Sequence, residues 1–160
     1  MNVFLYHSSP VKNLKILNTS PTLSNNVNIG NYLFATENKL LAVMYLLPQG
    51  FPIMMDAKKN NSTVVIAGNT EKVLSIDRGG SVYVLDDKNF IETPQKGLSD
   101  YERVSKVSVK PRREIKVKDT INSLIAAGVS IYFVDDNVFN NLIRNPKQKE
   151  LITELNKFNH

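Results

Sequence analysis

Only one histidine lies inside this chain of 160 residues: His7, since the other, His160, is the last residue. His7 stands where the apolar run Val3-Phe4-Leu5-Tyr6 gives way to Ser8-Ser9-Pro10. A strand that breaks there leaves an imidazole at the polar end of a cleft, able to donate from one ring nitrogen and accept at the other. A second segment, Asn31-Tyr32-Leu33-Phe34-Ala35-Thr36, leads toward a helix that carries Tyr45. A third, Asp100-Tyr101-Glu102-Arg103-Val104-Ser105, leads into a strand. Histidine, tyrosine and glutamate, each near a strand edge, suit a nucleotide that carries a sugar. The imidazole addresses a hydroxyl, the aromatic ring a flat heterocycle, and the carboxylate a developing positive charge.

Other chemistries fit less well. Ser8 and Ser9 beside His7 invite a Ser-His-Asp reading, but neighbours on a strand point to opposite faces and no Gly-x-Ser-x-Gly elbow occurs. Asp56, Asp77, Asp86, Asp87, Asp135 and Asp136 fall mostly at strand ends, and the Asp135-Asp136 pair lacks a third ligand at a calcium-loop spacing. Helix capping accounts for that pair. Gly79-Gly80 reads as a hairpin turn, and no phosphate-loop pattern is present. With no cysteine, disulfides and thiolate metal sites are excluded, and two histidines at opposite ends argue against a histidine zinc site. No metal is expected.

The formal net charge is +5, and basic residues concentrate between positions 103 and 118: Arg103, Lys106, Lys110, Arg112, Arg113, Lys116 and Lys118. Such a cluster attracts phosphates, nucleic acid included. It reads equally as an exposed strand face whose lysines discourage edge pairing. No nucleic-acid motif accompanies it. The longest apolar stretch, residues 40–47, is far too short to span a bilayer, and the opening Met1-Asn2-Val3-Phe4 lacks the features of a signal peptide. A soluble cytoplasmic protein with no membrane partner is the default expectation, in one domain over residues 1–160.

The elements that must position these residues follow from pattern. Residues 3–6 read as a buried strand, 12–28 as a loop with one helical turn near 14–17, and 32–35 as a second strand. Thr36 would cap the helix that bears Leu40, Leu41, Met44 and Tyr45. Strands are expected at 52–56, 63–67, 72–77 and 81–85, the last two joined through Arg78-Gly79-Gly80. Residues 93–99 read as an exposed loop, 101–109 and 114–117 as strands. Asp119 caps a helix ending at Gly128, 129–134 is a strand, and Asp135-Asp136 opens a helix to Arg144. Residues 146–160 read as a C-terminal helix with Leu151, Ile152, Leu155 and Phe158 on one face. The sum is an α+β domain of about seven strands and three or four helices.

The ordered set Tyr6-His7-Ser8, then Tyr32-Leu33-Phe34-Ala35-Thr36 before the helix of Tyr45, then Tyr101-Glu102-Arg103-Val104-Ser105, resembles the ADP-ribosyltransferase superfamily. It is most similar to the His-Tyr-Glu branch of diphtheria-type toxins and poly(ADP-ribose) polymerases, over roughly residues 3–118. The resemblance implies an ADP-ribosyltransferase-like split β-sheet with flanking helices and NAD+, as substrate, in the cleft between its halves. It implies that His7 orients the adenosine ribose and that Ser8, standing where the family has glycine, offers its backbone to the nicotinamide amide. Tyr45 would pack on nicotinamide. Tyr32, one residue ahead of the family's register, would join it through a bulge. Glu102 would stabilise the oxocarbenium-like transition state through the ribose 2′-OH. Asp100 stands where some members carry Glu or Gln to position the acceptor, and otherwise serves as a turn residue. The implied activity is transfer of ADP-ribose to a protein or nucleic-acid acceptor. The alternatives are a binding module that keeps the fold without the chemistry, and a nucleic-acid-binding protein that uses residues 103–118.

Overall fold

The computed structural model describes residues 3–24, 27–58, 60–92 and 102–159. In chain order its elements are β1 (Phe4–Ser9), β2 (Ser20–Ser24), β3 (Val27–Thr36), α1 (Lys39–Met44), β4 (Ile53–Asp56), β5 (Thr63–Ala67), α2 (Thr70–Ile76), β6 (Gly80–Asp86), β7 (Ile91–Glu92), β8 (Glu102–Ser105), β9 (Arg113–Val117), α3 (Thr120–Ala126), β10 (Ser130–Val134), α4 (Asp136–Arg144) and α5 (Gln148–Thr153). The class is α+β. Two compact units share the chain, one of Met1–Leu46 with Gly80–Val117, the other of Leu47–Gly79 with Lys118–His160.

The first unit is built on an antiparallel sheet in the order β7-β8-β3-β1-β6-β9, with β2 added to β3. Period-two alternation divides its side chains. Leu5, Leu33, Ala35, Tyr83 and Leu85 gather on one face, closed by Leu17, Phe90 and Val109. Val82 and Val117 meet Ala42 and Leu46 from the α1 segment on the other. The segment before β2 is pinned by paired backbone bonds between Leu17 and Val109, each 2.9 Å. Tyr83, fully buried, donates its hydroxyl to Val11 O at 2.8 Å. Gly80 is required by close approach: a Cβ there would lie 2.5 Å from the Ser9 carbonyl oxygen.

The second unit holds the sheet β10-β5-β4, with β5 and β10 parallel and β4 antiparallel to β5. Val65, Ala67 and Tyr132 pack against Phe139, Leu142 and Ile152 from α4 and α5. Asp77, 8 % exposed, receives Gly79 N at 3.1 Å and Ile121 N at 2.8 Å, so one carboxylate closes the turn after α2 and satisfies the start of α3.

Several expectations are corrected. His7 does not end a strand, because β1 continues to Ser9 against β6. The polar stretch 12–28 contains β2 and the start of β3, and no helical turn forms at 14–17. Residues 72–77 are not a strand of a hairpin: Asn69 caps α2 by accepting from Lys72 N, and Val73 turns into the core. The α1 cap is Asn38, which accepts from Leu41 N, rather than Thr36. Strand β8 stops at Ser105 instead of running to residue 109. The C-terminal helix is limited to Gln148–Thr153. Phe158 lies beyond it, its N–H on Ile131 O at 2.8 Å and its ring edge-on to Phe133. The loop at 93–99, together with Asp100, Tyr101 and His160, falls outside the described residues. The strand at 63–67 and the Asp119 and Asp135 caps stand as expected.

Replacing Asp77 by alanine strands two backbone donors in a buried turn. Urea unfolding should register a loss of roughly 2–4 kcal/mol, with a smaller loss for Asp77→Asn, which keeps one acceptor oxygen.

Candidate functional site

Thr36 organises one end of the first unit's sheet. It is the last residue of β3, 1 % exposed, and pairs with Tyr6 of β1 along one strand edge and with Glu102 of β8 along the other. Its Oγ1 accepts from Asn38 N at 3.1 Å, which turns the chain into α1. Tyr45, the C-terminal cap of α1, is carried back over the same three strands. Glu37 and Arg103, each one residue beyond the Thr36–Glu102 pair, close an ion pair at 2.6 Å that reinforces the register.

A cleft of about 300 Å³ opens there, lined by Tyr6, His7, Ser8, Phe34, Ala35, Thr36, Tyr45 and Glu102. The register of β1 and β3 holds only the pair Tyr6–Thr36, while both strands run on. Where their ladder stops, His7 Nδ1 takes the Phe34 carbonyl oxygen at 2.7 Å. A carbonyl oxygen only accepts, so Nδ1 carries the hydrogen. Burial lowers the His7 pKa, outweighing the opposing effect of that bond. The ring is therefore neutral at pH 7 and leaves Nε2 as an acceptor, the complement of a ligand hydroxyl.

Tyr45 donates its hydroxyl to Glu102 Oε1 at 2.8 Å. Partial burial, then that bond, then the carboxylate charge hold the phenol well above its ordinary pKa. The tyrosine is thus a fixed donor and the glutamate an acceptor. Sequence order spreads His7, Tyr45 and Glu102 over almost a hundred positions, and the sheet gathers all three, with Ser8, into one cleft.

Tyr32 is not among the lining residues. The irregular register of β3 lies nearer its start, where Leu23 and Thr22 pair with Asn28 and Gly30, so no bulge intervenes between Tyr32 and Thr36; Tyr32 shares the face of Phe34 but lies two residues further from the cleft. Tyr32 instead packs edge-on against Phe34, with centroids 6.4 Å apart, and Leu33 is buried in the core. Besides Tyr45, the aromatic rings that line the cleft are Phe34 and Tyr6. Alternation counted back from Thr36 sends Phe34 to the cleft face, a signal present in the sequence.

The basic segment is redistributed. Arg103 is taken by Glu37, and Arg112 by Asp86 with the Phe4 ring beneath it. The antiparallel pairing of Leu17 with Val109, and the bond from Ser108 to Asn18, set the stretch of exposed Lys15 beside that of exposed Lys110, while exposed Lys12 and Lys106 lie further out in opposite directions. No ion pair engages these four lysines among the described residues. Among the described residues there is no cluster of three potential metal ligands, and no helix is long and apolar enough to cross a membrane. No family model matches the chain, nor does any curated protein or solved structure.

The histidine gives a pH signature. Below its ordinary value of 6.5 the unfolded chain takes up a proton that the folded chain refuses, so stability falls as the pH drops through this range. Thermal melts between about pH 5 and 7 should show His7→Gln with a shallower acid-side loss than the unaltered protein.

Proposed function

We propose that the cleft binds NAD+ and that the protein is an ADP-ribosyltransferase-like enzyme, with the split-sheet fold of that superfamily, passing ADP-ribose to a protein or nucleic-acid acceptor. The single observation that carries this reading is the meeting of His7, Tyr45 and Glu102 in one cleft. The cleft's volume lies at the lower end for ligand sites and takes part of a dinucleotide, the remainder extending past its mouth.

The chemistry assigns each group a task. His7 Nε2 accepts from a ribose hydroxyl and fixes the dinucleotide. Ser8 presents its backbone to the nicotinamide amide. Phe34 and Tyr45 supply flat walls for the heterocycle, Phe34 replacing Tyr32 in that task. The bond from ribose C1′ to the nicotinamide nitrogen breaks, and its electron pair leaves with neutral nicotinamide. The cation left on the ribose is stabilised by the Glu102 carboxylate through the 2′-OH. A nucleophile on the acceptor, or water, then forms the new bond to C1′ and releases a proton.

A set of exposed lysines favours nucleic acid as a second reading. Lys12, Lys15, Lys106 and Lys110 are exposed and make no ion pair among the described residues. A nucleic-acid acceptor would unite the two readings. Binding to a short RNA or DNA oligonucleotide should weaken with salt, and alanine at these lysines should flatten the slope by about 0.9 per lost duplex phosphate contact. Binding that is indifferent to salt would remove this reading.

The leading reading is tested by incubating the protein with NAD+ and following nicotinamide. Wild type should release it. Glu102→Gln should bind NAD+ within a few-fold of wild type by calorimetry and release none. Equal release by the two proteins would discard the assigned role of Glu102. Binding without release by wild type would favour a binding module or a missing acceptor.

A further inference from the structure

We infer that the Tyr45 hydroxyl is a positioning group for Glu102, a role separate from any stacking by its ring. The inference rests on the NAD+-cleavage reading and deepens it. Glutamate has three rotatable side-chain bonds, and its terminal torsion is broad, so an untethered carboxylate samples many directions. Glu102 is not untethered. The Tyr45 hydroxyl donates to Oε1 at 2.8 Å, which restrains the carboxylate and leaves Oε2 free of that donor for a ligand hydroxyl.

The donor is itself well held. Tyr45 N–H bonds Leu41 O at 3.1 Å, and the Asn38 cap sets the start of the same short helix. The acceptor sits opposite Thr36 in the β3–β8 ladder, and the Arg103–Glu37 ion pair crosses that position diagonally. Two backbone elements thus fix the two ends of one side-chain hydrogen bond. Partial burial and the Glu102 carboxylate raise the phenol above its ordinary pKa, so the hydroxyl stays a donor. A carboxylate oriented in advance does not have to be reorganised as the ribose cation forms, and that advantage exists only in the transition state.

A positioning role separates turnover from binding. Tyr45→Phe keeps the ring and removes the hydroxyl. It should lower kcat for nicotinamide release about 10- to 100-fold while KM and the calorimetric NAD+ affinity stay within about threefold. Tyr45→Ala should also raise KM, since the ring is lost. The decisive comparison uses Glu102→Asp, whose carboxylate is drawn back by one methylene from the hydroxyl. In that background Tyr45→Phe should change kcat by less than about twofold, because the coupled pair is already broken. A merely structural tyrosine would give the same loss in both backgrounds.

The outcomes separate the two layers of the argument. If wild type releases no nicotinamide, the cleavage reading fails and this inference falls with it. If wild type is active and Tyr45→Phe matches its kcat, cleavage stands and the positioning role is overturned. A faster Tyr45→Phe would also overturn it, since the bond would then restrain Glu102 instead of preparing it.

Discussion

One cross-strand row, Tyr6–Thr36–Glu102, fixes the candidate site. Thr36 pairs with Tyr6 on one side and Glu102 on the other, and its hydroxyl starts the turn into α1. His7 is next to Tyr6, and Tyr45 is one short helix beyond Thr36. All three candidate groups therefore inherit their positions from the register of β3. A one-residue slip there would turn Thr36 and Phe34 toward the core and turn Leu33 out of it. The burial of Leu33 and Ala35, at 3 % and 4 % exposure, opposes that slip.

The same row explains why a cleft exists. Sheet strands normally satisfy each other's carbonyls, and a gap in a ladder leaves polar groups to be paired some other way. The β1–β3 ladder stops beside Thr36, and His7 takes the Phe34 carbonyl in its place. That bond also selects the tautomer and so decides what the ring can offer a ligand. Tyr45 and Glu102 pair across the opposite wall. His7 and Glu102 thus each have a structural partner and one atom that these bonds leave unused, Nε2 of His7 and Oε2 of Glu102.

Much of this was legible in the sequence and some was not, for physical reasons. Side chains with distinctive chemistry announced themselves, and His7, Tyr45 and Glu102 do share a cleft. The strand at 63–67 was plain because Val64, Val65 and Ile66 form a continuous buried run. Tyr32 shares the face of Phe34 and Thr36 by alternation, and only its distance along β3 from Thr36 keeps it out of the cleft, which residue type and face do not reveal. Helix α2 was hidden because Val73, Leu74 and Ile76 suit a strand as well as a helix over so short a span, and Gly79-Gly80 imitates a hairpin turn. Its true signal was Asn69 ahead of Thr70 and Glu71. The β2–β3 pair was obscured by polar side chains, because most of β2 is solvent-exposed and carries little apolar pattern. The contacts of Arg103 and Arg112 depend on Glu37 and Asp86, which are remote in sequence.

The interleaving of the two units has a consequence for how the protein comes into being. Residues 47–79 interrupt the first unit, and residues 80–117 complete it. During synthesis His7 and Tyr45 emerge long before Glu102, and β1 has no β6 to pair with until the interrupting segment has been made. The strand pairings that build the cleft are therefore non-local, a topology associated with slow assembly. No proteolytic or cloned fragment that stops before residue 80 holds more than a portion of either unit. A nascent chain on the ribosome thus lacks a finished cleft until the eighth strand has cleared the exit tunnel.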